Sequence, residues 1–166
     1  MATSPRDTYV TGLVNAHALE NQAVSILSRQ VERLENYPEM SEQIRLHIDE
    51  SKAQAQRLEE ILHSLGTSHS ALKDLATSFA GNMAALAHVP MQDEVMKNTF
   101  AFEHFEIAAY RSLLTMADLA GDNSGPTALK RSLSEEIRMA KWIEGNLEAT
   151  TRKYVQLTAG GEKAGV

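Results

Sequence analysis

The sequence contains no cysteine. Disulfides, thiolate metal sites and cysteine nucleophiles are therefore excluded. Helix breakers are scarce, with 4 prolines and 9 glycines in 166 residues, most of them where loops or tails are expected. Aromatic residues make up only 5 %, which argues against a strand-rich core. No basic arm or stripe exists and the net charge is −6, so nucleic-acid binding has no electrostatic footprint. No apolar run approaches the ~20 residues that a membrane-crossing helix needs. The first ten residues are polar, carry Pro5, Arg6 and Asp7, and do not read as a signal peptide. The expectation is a cytoplasmic protein without nucleic-acid or membrane partners.

What the chain has in abundance is Ala, Leu, Glu, Ser and Met, a mixture that favours helices. The length suits one domain over 1–166, with a helical core over about 5–157 and a loose tail from 158. Punctuation divides the core. Ser4-Pro5 with Asp7 reads as a helix start, with a capping hydroxyl, a first-turn proline and an acidic first turn. Asn36-Tyr37-Pro38 separates two helices, Gly66 reads as a helix-ending C′ residue, and Gly121 to Pro126 reads as a turn. The spacing predicts helices over about 5–35, 39–65, 91–120 and 126–157. The two tight turns make two antiparallel hairpins. The stretch between Gly66 and Val89, with a weaker helical piece from Ser70 to about Ala87, is long enough to cross the bundle. The predicted fold class is all-α, a ferritin-like four-helix bundle of two hairpins joined by a long crossover. A simple up-down bundle with a fifth packed helix is the alternative.

Each helix carries an apolar stripe at spacings of three and four, the mark of a buried face. Every stripe is interrupted near its middle. His17 and Glu20 interrupt the first helix. His47, Ser51 and Gln54 interrupt the second, with Glu50 lying among them. Glu103 and Glu106 interrupt the third, and Glu136 the fourth. Glu20 and Glu106 each lie about 17 residues before their turn, and Glu50 and Glu136 about 13 after it, offsets that differ by roughly one helical turn. The carboxylates can converge on one layer. An isolated Glu in a stripe usually snorkels to solvent. The same interruption at matching depth in all four helices points to a buried carboxylate cluster. Such a cluster repels itself unless it is protonated, paired with a base or bound to cations. Hard oxygen donors suit iron or manganese, and two ions between Glu20, Glu50, Glu103, Glu106 and Glu136 are the expectation. His17, His47, Gln54 and His104 are candidates to ligate in addition or to hydrogen-bond a ligand. His47 suits a supporting or core role, and His104 a contact with a neighbouring helix or solvent.

Phe102-Glu103-His104-Phe105-Glu106-Ile107-Ala108-Ala109-Tyr110 resembles the signature helix of the YciE/YciF family of ferritin-like bacterial stress proteins. His47-Ile48-Asp49-Glu50-Ser51, Leu133-Ser134-Glu135-Glu136 and Ala18-Leu19-Glu20-Asn21-Gln22 are similar to its other helices. The resemblance spans roughly residues 8–157. It implies a ferritin-like bundle, commonly a homodimer, tied to stress responses and built around a di-metal centre, with no established reaction. Where a di-iron oxidase has Glu-x-x-His, this chain has Ala53 after Glu50 and Met139 after Glu136. The loss of nitrogen ligands weakens metal affinity.

Three functions compete on these grounds. The first is a di-metal carboxylate protein that oxidises Fe(II) or consumes peroxide, with Glu103 ligating or shifting on oxidation. The second is a non-catalytic, oligomeric stress protein with a degenerate metal site. The third, a cage-forming iron store or DNA-protecting ferritin, has least support, because the acidic chain has no basic tail and no feature of the sequence marks a cage-forming surface. No residue is assigned a catalytic role.

Overall fold

The computed structural model describes residues 3–67 and 95–164. Among them are four helices, α1 (Pro5–Val31), α2 (Pro38–Ser64), α3 (Val95–Ala120) and α4 (Pro126–Ala159), and no strand. The protein is an all-α four-helix bundle. None of the described helices is long and apolar enough to cross a membrane.

The helix ends follow from local chemistry. At the start of α1 the Ser4 hydroxyl accepts from the Asp7 amide at 3.1 Å, and the Asp7 carboxylate accepts from the Ser4 amide at 3.2 Å. This reciprocal box satisfies two donors that a helix start leaves free. Gly66 and Gly121 adopt φ of +76° and +71°, the left-handed region in which glycine carries no side-chain penalty. The Thr67 amide then donates to the Leu62 carbonyl and the Asp122 amide to the Ala117 carbonyl. Both bonds close the helix in the Schellman manner.

α1 ends at Val31, short of the expected residue 35. Leu34 and Tyr37 remain buried, at 4 % and 8 % exposure. They reach the core from a turn that folds back over the end of α1, so the apolar spacing persists where the helix does not. Of the expected tail, residues 158 and 159 continue α4, and the Tyr37 hydroxyl donates to the Ala164 carbonyl at 2.7 Å. The expected helical piece from 70 to 87, and the first residues of helix three before Val95, lie outside the described residues.

Two apolar clusters fill the bundle. One joins the start of α1, the ends of α2 and α3 and the start of α4, through Tyr9, Leu13, Leu62, Leu113 and Leu129. The other joins the end of α1, the starts of α2 and α3 and the later part of α4, through Leu27, Ile44, Met96, Met139 and Ile143. Partners within each hairpin are therefore antiparallel. α2 ends at the opposite end of the bundle from the start of α3, as a crossover-linked pair of hairpins requires. Between the two clusters lies the polar layer described below.

The turn between α3 and α4 is organised by Asp122. Its carboxylate accepts from the Tyr9 hydroxyl at 2.9 Å, the Ser124 amide at 2.8 Å and the Gly125 amide at 3.1 Å. A Cβ on Gly125 would lie 2.5 Å from that carboxylate and 2.6 Å from the Tyr9 hydroxyl. Neither group can retreat without breaking its bonds. Gly125→Ala is expected to cost about 2 kcal/mol, read as a lower urea midpoint. An unchanged midpoint would show that the turn is looser than this geometry.

Candidate metal centre

Five ionisable side chains from all four helices meet between the apolar clusters. Glu20 on α1, His47 on α2, Glu103 and Glu106 on α3, and Glu136 on α4 are each 1 % exposed or less. The helical period places them there. Glu103 and Glu106 are three residues apart and share the inner face of α3. His47 occupies the stripe of α2, one turn before the buried Ser51.

One ligand atom from each of His47, Glu103, Glu106 and Glu136 lies within 4.8 Å of the other three. His47 Nε2 is 3.2 Å from Glu103 Oε2 and 3.7 Å from Glu136 Oε2. Glu20 joins the group through the fully buried Tyr110, whose hydroxyl donates to Glu20 Oε1 at 2.6 Å. The carboxylates are largely unsatisfied. Among the described residues, Glu20 Oε2 and both oxygens of Glu103, Glu106 and Glu136 have no hydrogen-bond donor. Buried polar atoms normally have one. This buried His/Glu group, with donors aimed at one another across a small space, could bind metal.

Protonation compensates part of the charge. Burial pushes Glu20 up to about 8, with the Tyr110 hydroxyl and the His47 charge opposing the rise and the Glu103 charge adding to it. Burial, with the charges of Glu20, Glu136 and Glu103, raises Glu106 well above the usual carboxylate range. Burial and the Glu103 charge do the same to Glu136, against the opposing charge of His47. Burial alone would lower His47, but the close approach of the Glu103 and Glu50 carboxylates to its ring nitrogens and the charges of Glu103 and Glu136 hold it up at about 11.

The other candidates lie elsewhere. Glu50 is not in the group. Its carboxylate faces outward, with Oε2 3.3 Å from His47 Nδ1 and Oε1 bound by Arg138. The His47 hydrogen bond, and next to it the Arg138 charge, keep Glu50 below its ordinary pKa in spite of burial. His47, expected in a supporting or core position, lies inside the group, and Glu50, expected as a ligand, lies outside it. His47 occupies the inner position, and with a cation bound Glu50 could hold its Nδ1–H so that the imidazole, then neutral, presents Nε2 inward, a common arrangement for a metal-binding histidine. His17 pairs instead with Glu59 of α2, its Nε2 2.8 Å from Glu59 Oε1 and 3.3 Å from the Asn21 side-chain amide. Gln54 is fully buried but donates to Glu135 at 3.1 Å. His104 is exposed, stacks on Phe100 at 4.2 Å between ring centroids and has Nδ1 2.9 Å from the Phe100 carbonyl. Neither it nor His17 belongs to the four-residue group.

One constellation was not anticipated. Glu135, beside Glu136, is 7 % exposed and is gripped by Arg57 through two bonds of 2.8 and 2.9 Å. Arg131 at 3.2 Å and Gln54 add two more. Burial would raise Glu135, but these donors, Arg57 first, bring it below the usual range. Adjacent glutamates in a helix point about 100° apart. That separation was the one signal that Glu135 faces α2 when Glu136 faces the centre.

Residues 4–156 match the family described as "Domain of unknown function (DUF892)". The chain belongs to that family. The DUF892 chain is also similar to solved structures. A protein from Xanthomonas campestris pv. campestris is 28 % identical, with 94 % of this chain and 99 % of that one covered at a TM-score of 0.76. The Escherichia coli stress protein YciF is 19 % identical over 90 % of this chain and 98 % of its own, at a TM-score of 0.68. YcfI from Rhodopseudomonas palustris is 22 % identical over 85 % and 93 %, at 0.66. The last two likenesses carry the fold alone.

Proposed function

We propose that this chain is a ferritin-like stress protein that holds two iron or manganese ions in its buried cluster and oxidises Fe(II) or consumes peroxide. The observation that carries the reading is the set of buried carboxylate oxygens without donors around His47. Four carboxylates with a neutral His47 are balanced by two divalent cations, and a nearly all-oxygen donor set suits iron or manganese. The likeness to a protein described as a stress protein supports the physiological setting.

Glu20, His47, Glu103, Glu106 and Glu136 would hold the ions. Redox-active ions bound there supply the electrons that reduce an oxidant. The side chains bind, orient and exclude water. Glu50 fixes the His47 tautomer, and Tyr110 fixes one oxygen of Glu20 and can pass it a proton. His47, Glu20, Glu106 and Glu136 would release the protons they hold on binding the ions. Equilibrium dialysis against Mn(II) and anaerobic Fe(II), followed by elemental analysis, tests the reading. About two ions per chain are expected, and trace content would overturn it. Oxidant consumption by the loaded protein, against metal-free protein, then tests the activity.

A non-catalytic bundle that acts through homodimer or larger contacts is the second reading. It is favoured by the ability of the group to neutralise itself, with His47 charged and the neighbouring glutamates protonated. It predicts that Glu20→Ala with Glu136→Ala leaves cellular stress resistance intact and raises the melting temperature, because buried ionisable groups are removed. Loss of resistance in that double variant would exclude it. Light scattering of the same preparation gives the oligomer size.

A further inference from the structure

The buried group has no exposed member, so an arriving cation needs a way in. The bundle offers a cleft of about 520 Å³ between α2 and α4, lined by Glu50, whose carboxylate also contacts His47. Ala53 lies in its wall, between two cross-helix ion pairs. At one end Glu135 of α4 is held by Arg57, Arg131 and Gln54, with a two-bond grip from Arg57. That end is locked. At the other end Glu50 of α2 is held from the cleft side by Arg138 alone, and the side chains of Glu50 and Arg138 are 27 % and 57 % exposed. The other oxygen of Glu50 is on His47 Nδ1. Glu50 therefore borders both the cleft and the buried group.

We propose that the α2–α4 cleft admits divalent cations to the buried group, with Glu50 as the carboxylate that takes a hydrated cation from the cleft and Arg138 as the counter-ion that blocks it. The inference rests on the cation-binding reading above and adds the route. A hydrated cation and the Arg138 guanidinium compete for one carboxylate oxygen, and the exposed guanidinium can swing into solvent. Movement of the Glu50 carboxylate releases the His47 Nδ1–H bond as well, which frees the imidazole to turn. The positive charge on Arg138 slows cations, and the negative charge on Glu50 draws them in.

The test is the rate of Co(II) uptake by the chelator-stripped full chain, followed by visible absorbance in a stopped-flow instrument, with bound metal counted at the endpoint. Arg138→Gln is expected to accelerate uptake at least about threefold and Glu50→Gln to slow it by a similar factor, as local charge changes on-rate in a confined cleft. Ala53→Trp, which fills the cleft without changing charge, is expected to slow uptake too. Arg138→Gln and Ala53→Trp should reach the endpoint of the parent protein at saturating Co(II). Unchanged rates in the three variants, or acceleration by both Glu50→Gln and Arg138→Gln, would overturn the route. If the parent itself takes up no Co(II), the cation-binding reading fails and the route falls with it.

Discussion

Chelator-stripped protein is expected to lose about 5 °C or more of melting temperature as pH rises from about 5 to about 8, and saturating Mn(II) to reverse the loss. Glu20 has its folded pKa raised to about 8 from 4.5. Between these values the folded chain holds a proton that the unfolded chain has released. Its stabilisation is complete below the unfolded pKa and is lost as pH climbs through the folded one. Glu106 and Glu136 are raised as well and act in the same direction. His47, raised to about 11 from 6.5, adds a further decline that starts near neutral pH. The groups with lowered pKa, Asp7, Glu50, Asp122 and Glu135, oppose this only in acid. Their contribution is present above about 4.5 and is lost as pH falls through their folded values. The metal-free protein should thus be most stable near pH 5. Cations replace the protons, so the loaded protein should gain stability where the stripped one declines. Differential scanning calorimetry at four or five pH values, with and without Mn(II), checks both statements. A stripped protein as stable at pH 8 as at pH 5 would mean that its glutamates ionise without cost.

Arg57→Leu is the second change with a large expected effect. It is expected to cost about 3 kcal/mol, near the lower end of what breaking one side of a buried ion pair costs. The side chains of Arg57 and Glu135 are 13 % and 9 % exposed. Without Arg57, Glu135 keeps Arg131 and Gln54 but loses its two-bond partner, and the Ser132 hydroxyl loses the Arg57 donor at 2.7 Å. The double variant Arg57→Leu with Glu135→Leu should recover most of the loss, because the pair itself contributes little beyond its own desolvation. A urea-based double-mutant cycle reads the coupling. Equal losses in the single and double variants would place the cost in helix packing instead.

The four helices and the depth of the polar layer were legible because both follow from a 3.6-residue period. Glu20, Glu106 and Glu136 sit in their stripes, and all are buried. Glu50 shows the limit of the argument. Three residues beyond His47 it is rotated by about 60°, and a small rotation decides whether a carboxylate faces the centre or the α2–α4 cleft. Arg138 decides it, and a partner 88 residues away leaves no trace in local spacing. Glu59 claims His17 in the same way across 42 residues. A glutamate on every helix masks the place of His47, which the stripe of α2 contains. The end of α1 was misplaced for a different reason. Leu34 and Tyr37 keep the apolar rhythm from a turn, since the rhythm reports burial and the chain can meet it in more than one backbone form.

Anomalous diffraction from crystals grown with Mn(II) tests the central claim most directly. Two strong peaks are predicted among Glu20, His47, Glu103, Glu106 and Glu136, with His47 contributing Nε2 and Glu50 still on its Nδ1. A fully occupied chain with no peak between these side chains, and the glutamates closed on His47 as hydrogen-bonded acids, would contradict it.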